Sequence, residues 1–139
     1  MARFLDTNIL VRYFTNDEPE MARAALALME KIERGEERVV TSPIVIFETV
    51  FLLERHYKVP KAEIREKVGD VLALRSLHLP EKTLCLQALD LYTEKNIAFA
   101  DAYHAIWMQA RGVTDIYSFD REFDRIAGLH RIDPRTQQE

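Results

Sequence analysis

The chain has 139 residues, 47% of them hydrophobic and 30% charged, which excludes a disordered or collagen-like polymer and suits one domain with a real core. Its net charge of −4 and pI of about 5.6 argue mildly against a polyanionic partner held by bulk charge, although local positive potential or bound divalent ions would serve an acidic enzyme. Cys85 is alone, so one chain offers neither a disulfide framework nor a thiolate zinc site.

The apolar runs are far shorter than a membrane span, and Met1–Asp6 lacks an extended apolar segment of the signal-peptide kind. Cytoplasmic residence is the default expectation. Phe4-Leu5 and its neighbours read as a short buried strand, followed by a helical piece over Thr7–Phe14. From Pro19 to Arg34, apolar residues at Met21, Ala24, Ala25, Leu28, Met29 and Ile32 recur at helical spacing, and Gly35 breaks the pattern as a C′ glycine would. Val39–Thr41 is a second strand. Ser42-Pro43 gives an N-cap and a proline at the first helical position, starting a helix that runs to about Tyr57.

Pro60 opens a further helix with Ile64, Val68, Val71, Leu72 and Leu74 as its stripe, and Leu77–Leu79 is a weak third strand. Helices over 81–94 and 99–111 follow, the second closed by Gly112. Asp115–Phe119 is a fourth strand, Arg121–Ala127 a short helix and His130–Ile132 a fifth strand. No repeat or linker interrupts the order. Strands alternating with helices imply an α/β fold, a three-layer α/β/α sandwich around a mostly parallel sheet of four to five strands, forming one domain over residues 1–139.

In such a sheet, ligands bind at the carboxyl edge of the strands. Asp6 and Asp120 follow strands, Asp101 starts a helix whose N-terminus belongs at that edge, and Glu48 lies early in the helix after strand two. Four converging carboxylates repel: at an effective dielectric of about 20, a pair about 6 Å apart costs roughly 3 kcal/mol. Protonation or a hard divalent cation relieves that cost, and oxygen-rich sites suit Mg²⁺ or Mn²⁺. This points to metal-dependent phosphodiester hydrolysis.

Each acid also has a plainer role. Asp6 and Asp120 have the positions of helix caps, and Asp101 has one that favours a helix dipole. Glu48, flanked by Ile44, Val45, Phe51 and Leu52, sits in an apolar stripe where an unpaired Glu is rare, which favours metal ligation. Asn8 and Ser118 are supporting polar candidates, and Arg12, Arg121 and Arg125 are candidate phosphate contacts. Asp124 is either a peripheral acid or a surface residue, and His104 is better read as structural than as a ligand. No P-loop, dinucleotide fingerprint or nucleophile elbow is present.

The ordered set Phe4-Leu5-Asp6-Thr7-Asn8, Ser42-Pro43 leading to Glu48, Ala100-Asp101-Ala102 and Ser118-Phe119-Asp120-Arg121-Glu122-Phe123 resembles the PIN-domain ribonucleases, specifically the toxins of VapBC-type toxin–antitoxin modules. The resemblance spans almost the whole chain. It implies that Asp6, Glu48, Asp101 and Asp120 hold Mg²⁺ or Mn²⁺, that Asn8 and Ser118 assist, and that strand one lies near the sheet centre. It also implies an RNA substrate, a homodimer and neutralisation by a small antitoxin; the short apolar runs add the expectation of no membrane partner. Against it stand a non-catalytic PIN-like scaffold or RNA-binding module, a DNA nuclease with the same acids, and a receiver-type phosphotransfer protein. The last would want an Asp after strand three, where Leu77-His78-Leu79-Pro80 offers none.

Overall fold

The computed structural model describes residues 2–137. Two compact units divide the chain, Met1–Leu86 and Gln87–Glu139. In the first, β1 (Arg3–Phe4), β2 (Val39–Val40) and β3 (Leu77–His78) form a parallel sheet in the order β1-β2-β3. The crossovers are α1 (Thr7–Thr15) with α2 (Pro19–Glu33), then α3 (Pro43–Arg55) with α4 (Lys61–Leu72). Helical connections of this kind are what parallel pairing requires. Leu5, Leu10, Ile32, Ile46, Leu53, Ile64, Leu72 and Leu77 are almost wholly buried.

The carboxyl edge of this sheet is tightly tied. Leu5 N–H donates to the Val40 carbonyl at 2.8 Å, Thr41 N–H to His78 at 2.9 Å, and the buried Thr41 hydroxyl to the Leu5 carbonyl at 2.8 Å. The chain then turns directly into α1 and α3 from that edge. Ser42 is the N-cap residue of α3 in extended backbone, yet its side chain makes no capping hydrogen bond; Pro43 supplies the start instead. Gly35 ends α2 at φ 78°, the left-handed conformation that glycine adopts without penalty.

The unit division falls inside α5 (Lys82–Glu94). The second unit continues with α6 (Phe99–Ala110), β4 (Asp115–Tyr117), a 3₁₀ turn over Arg121–Arg125, β5 (His130–Ile132) and a second 3₁₀ turn over Pro134–Gln137. β4 and β5 pair in parallel, joined by residues 118–129, about the shortest crossover such pairing allows. Tyr92 and Phe99 meet edge to face with centroids 5.8 Å apart. No helix among the described residues is long and apolar enough to cross a membrane.

The α/β class and every expected element are present, with ends shifted by a few residues. Four expectations change. The expected buried strand at Phe4-Leu5 is exposed along β1, with Phe4 at 58%, and only Leu5 just beyond it lies in the core. Among the described residues the five strands form a three-stranded and a two-stranded ladder rather than one sheet of four to five, and β1 is an edge of its ladder with β2 at the centre. The strands are only two or three residues long, so few ladder bonds exist to extend a sheet. The expected helix over 121–127 is a 3₁₀ turn that stops at Arg125, because Ile126 is already extended (φ −105°, ψ 116°).

Candidate active site

In the first unit, Asp6, Thr7, Asn8, Arg12 and Glu48 line a cleft of about 430 Å³, with Val11, Leu52, His56 and Tyr57 completing its wall. Local folding explains each position. Asp6 leaves the carboxyl edge of β1 in extended backbone and caps α1, its Oδ1 accepting from Thr7 N–H at 2.7 Å. Thr7 is buried, and its hydroxyl donates to Glu48 Oε1 at 3.1 Å, tying the first turn of α1 to α3. Asp6 therefore caps a helix and also faces the cleft with Glu48.

Glu48 differs from its expected setting. It is exposed, because α3 buries Val45, Ile46, Thr49, Val50 and Leu53 while Ile44 (67%) and Phe51 (62%) stand in solvent on the other side. Of the four apolar neighbours that suggested burial, Ile44 and Phe51 are themselves exposed, so the inference that Glu48 must be ligated because it is buried fails. What holds it is the Thr7 hydroxyl.

Arg12 reaches Tyr57 Oη from Nη1 at 3.4 Å and lies 3.8 Å from Asp17. Its Nε is a buried donor with no protein partner among the described residues. An unsatisfied buried donor costs about 1–3 kcal/mol, and this one is unused by any other described residue.

In the second unit, Asp101, Asp120 and Glu122 offer carboxylate oxygens that all lie within 4.8 Å of one another. Asp101 sits in the first turn of α6. Ser118 ends β4 by accepting Asp120 N–H on its Oγ at 3.0 Å, and Asp120 in turn caps the 3₁₀ turn by accepting Glu122 N–H at 2.9 Å. Glu122 Oε2 accepts Ala98 N–H at 3.3 Å, the donor at the start of α6 that lacks a cap of its own. One carboxylate thus links the 3₁₀ turn to the helix that presents Asp101.

The cluster is electrostatically crowded. Burial first, then a hydrogen bond with Glu122 and the charges of Asp120 and Glu122, push the Asp101 carboxyl up to about 7. A hard cation bound by these oxygens would remove that penalty, and three converging carboxylates are a donor set of the kind that Mg²⁺ and Mn²⁺ accept. The residues fit a divalent ion.

Of the residues named from the sequence, Asp6, Asn8, Arg12 and Glu48 come together in the first unit, and Asp101, Ser118 and Asp120 in the second. Arg121 is exposed on the 3₁₀ turn. Three others join neither group. Asp124 pairs with Arg131 through two bonds of 3.0 and 3.2 Å, which hold its carboxyl below the usual range. Arg125 donates to the carbonyls of Lys95 and Asn96, and His104 is exposed. Sequence reasoning missed Glu122 as a cluster member. Its only signal was the Asp120-Arg121-Glu122 spacing, which joins the two acids only once the chain tightens into a 3₁₀ turn.

Cys85 is fully buried and its thiol is pushed up to about 12 by that burial, so it offers no thiolate for catalysis. The chain is 25% identical over 132 residues, 95% of its own length and 96% of the relative's, to a protein named VapC ribonuclease from Aquifex aeolicus (strain VF5). Residues 3–129 match the PIN domain, and the chain belongs to the PIN-domain family.

Proposed function

We propose that the protein is an endoribonuclease that hydrolyses RNA phosphodiester bonds with Mg²⁺ or Mn²⁺, as the toxin of a toxin–antitoxin pair. The carrying observation is the cluster of Asp101, Asp120 and Glu122, whose crowded charges favour a cation. The PIN-domain match over residues 3–129 supports one nuclease domain along the chain, and the name of the Aquifex relative supports RNA as substrate. A cytoplasmic homodimer held in check by a small antitoxin is part of the same proposal.

When bound, the ion supplies Lewis-acid polarisation of the phosphoryl group and lowers the pKa of a nucleophilic water. The chain's own residues do the rest. Asp101 and Asp120 would hold the ion with Glu122, which also keeps the start of α6 in place through Ala98. Asp6 and Glu48 are required carboxylates of the first unit, Glu48 being aimed by Thr7 and Asp6 by the end of β1. Asn8 and Ser118 assist with polar contacts, while Arg12 and Arg121 meet phosphate.

The test is cleavage of a total tRNA and rRNA pool, beside a DNA control, by protein freed of antitoxin, with Mn²⁺, Mg²⁺ or EDTA. Discrete RNA fragments that need metal are expected, and Asp101→Asn or Asp6→Asn abolishes them while circular dichroism stays native. Full activity in either folded variant overturns the assignment. Cleavage of DNA in preference to RNA overturns the substrate.

A further inference from the structure

A second feature of the first unit has no part in the carboxylate chemistry. A groove of about 730 Å³ runs along β2 and β3, its lining including Ala2, Arg38, Arg75, Ser76, His78 and Lys82. Ala2, Arg38 and Ser76 immediately precede β1, β2 and β3, so the groove begins at the amino edge of the parallel sheet, opposite the edge that carries Asp6. Every ionisable side chain in its lining is basic: Arg38, Arg75, His78 and Lys82. In a chain of net charge −4 this is a local reversal of sign.

The charges are free to act outward. Arg38, Arg75 and His78 are exposed, and among the described residues none of the three is in an ion pair. Lys82 is half-buried, its ammonium anchored by donating to the carbonyls of Leu77 at 2.7 Å and Leu74 at 3.3 Å. Two of its three N–H bonds are thereby fixed, which holds the charge at the groove wall.

We infer that this basic groove, which begins at the amino edge of the sheet and runs along β2 and β3, binds the sugar–phosphate backbone of RNA. The inference rests on the nuclease reading for its choice of RNA over other polyanions, and on charge complementarity for the site itself. Carboxylates repel phosphates until metal is bound, so a nuclease with an acidic edge gains substrate affinity from cations elsewhere. The shared ligand chemistry is serial phosphate, as an RNA backbone or as a free polyphosphate.

The test is fluorescence anisotropy of a labelled single-stranded RNA with the full protein in EDTA, which removes any metal-bridged contact at the carboxylates. Arg38→Ala with Arg75→Ala is expected to weaken binding about ten- to hundredfold at low salt. It should also lower the slope of log affinity against log salt by about 1.4, at about 0.7 per contact. Arg38→Lys with Arg75→Lys restores most of the affinity. Arg23→Ala with Lys31→Ala, which removes the same charge from α2, leaves it unchanged.

Equal affinity and slope in the groove variant, shown folded by circular dichroism, overturns the inference. So does displacement of RNA by tripolyphosphate or polyglutamate at matched charge. The two readings fail separately. Loss of EDTA binding in the groove variant, with no cleavage under any metal, sinks the nuclease and leaves the groove standing. Metal-dependent cleavage with unaltered EDTA binding does the reverse.

Discussion

Asp101 shares its proton with a crowded site, and its ionisation sets two measurable behaviours. Its carboxyl is pushed up to about 7, above the ordinary value of 3.8, by burial and by Glu122 and Asp120. The native state therefore holds more protons than the unfolded chain between about pH 4 and pH 7, and metal-free stability falls as pH rises through that window. Asp101→Asn should flatten this dependence and raise the metal-free melting temperature at pH 7.5, a gain of about 1–2 kcal/mol once solvent screening of a partly exposed carboxyl is allowed for. No rise in a metal-free melt would show that the crowding is not felt. Because a cation must displace the same proton, metal affinity should climb about tenfold per unit below pH 7 and level off above it, as read by calorimetry. The corresponding gain is not expected for Glu48→Gln, since Glu48 is exposed and bonded to Thr7.

At the scale of elements, carboxylates double as joints. Glu122 closes the open N–H at the start of α6, so Glu122→Ala should cost about 1 kcal/mol in denaturant unfolding besides weakening metal binding. Glu122→Gln keeps an amide oxygen for Ala98 and should lose metal affinity with little loss of stability. Equal destabilisation by both would mean that the charge, not the acceptor, steadies the helix. Thr7→Val tests the other joint: α1 retains its Asp6 cap, Glu48 loses its hydroxyl donor, and cleavage should fall several-fold with the fold intact. The elements themselves were readable because their signals are local: Ser42-Pro43, the helical spacing of Ala25, Met29 and Ile32 in α2 and Gly35 each act within a turn of the backbone, although Met21 and Ala24 of the expected stripe are exposed and Ala22 is buried instead. Glu122 was not readable, since its role depends on a 3₁₀ turn bringing it to α6 across 24 positions of sequence.

For the whole molecule, metal should act as a folding ligand. A cation that binds only the native state stabilises by about 2.7 kcal/mol at 100 times its Kd. Saturating Mn²⁺ should thus raise the melting temperature of the wild type and leave that of Asp101→Asn little changed; an equal rise in both would place the ion elsewhere. Composition and order alone determined the α/β class, the succession of helices and strands, and which carboxylates stand at strand ends and helix starts, because periodicity and capping are short-range. Tertiary structure alone decided three things. It set the pairing of the strands into two ladders, since strands of two or three residues carry too little pattern to specify neighbours. It placed Glu48 in solvent, since apolar residues beside an acid along a helix do not say which face is covered. And it raised the Asp101 carboxyl and gathered Arg38, Arg75, His78 and Lys82 into one groove, since electrostatic coupling depends on distance in space and not on separation along the chain.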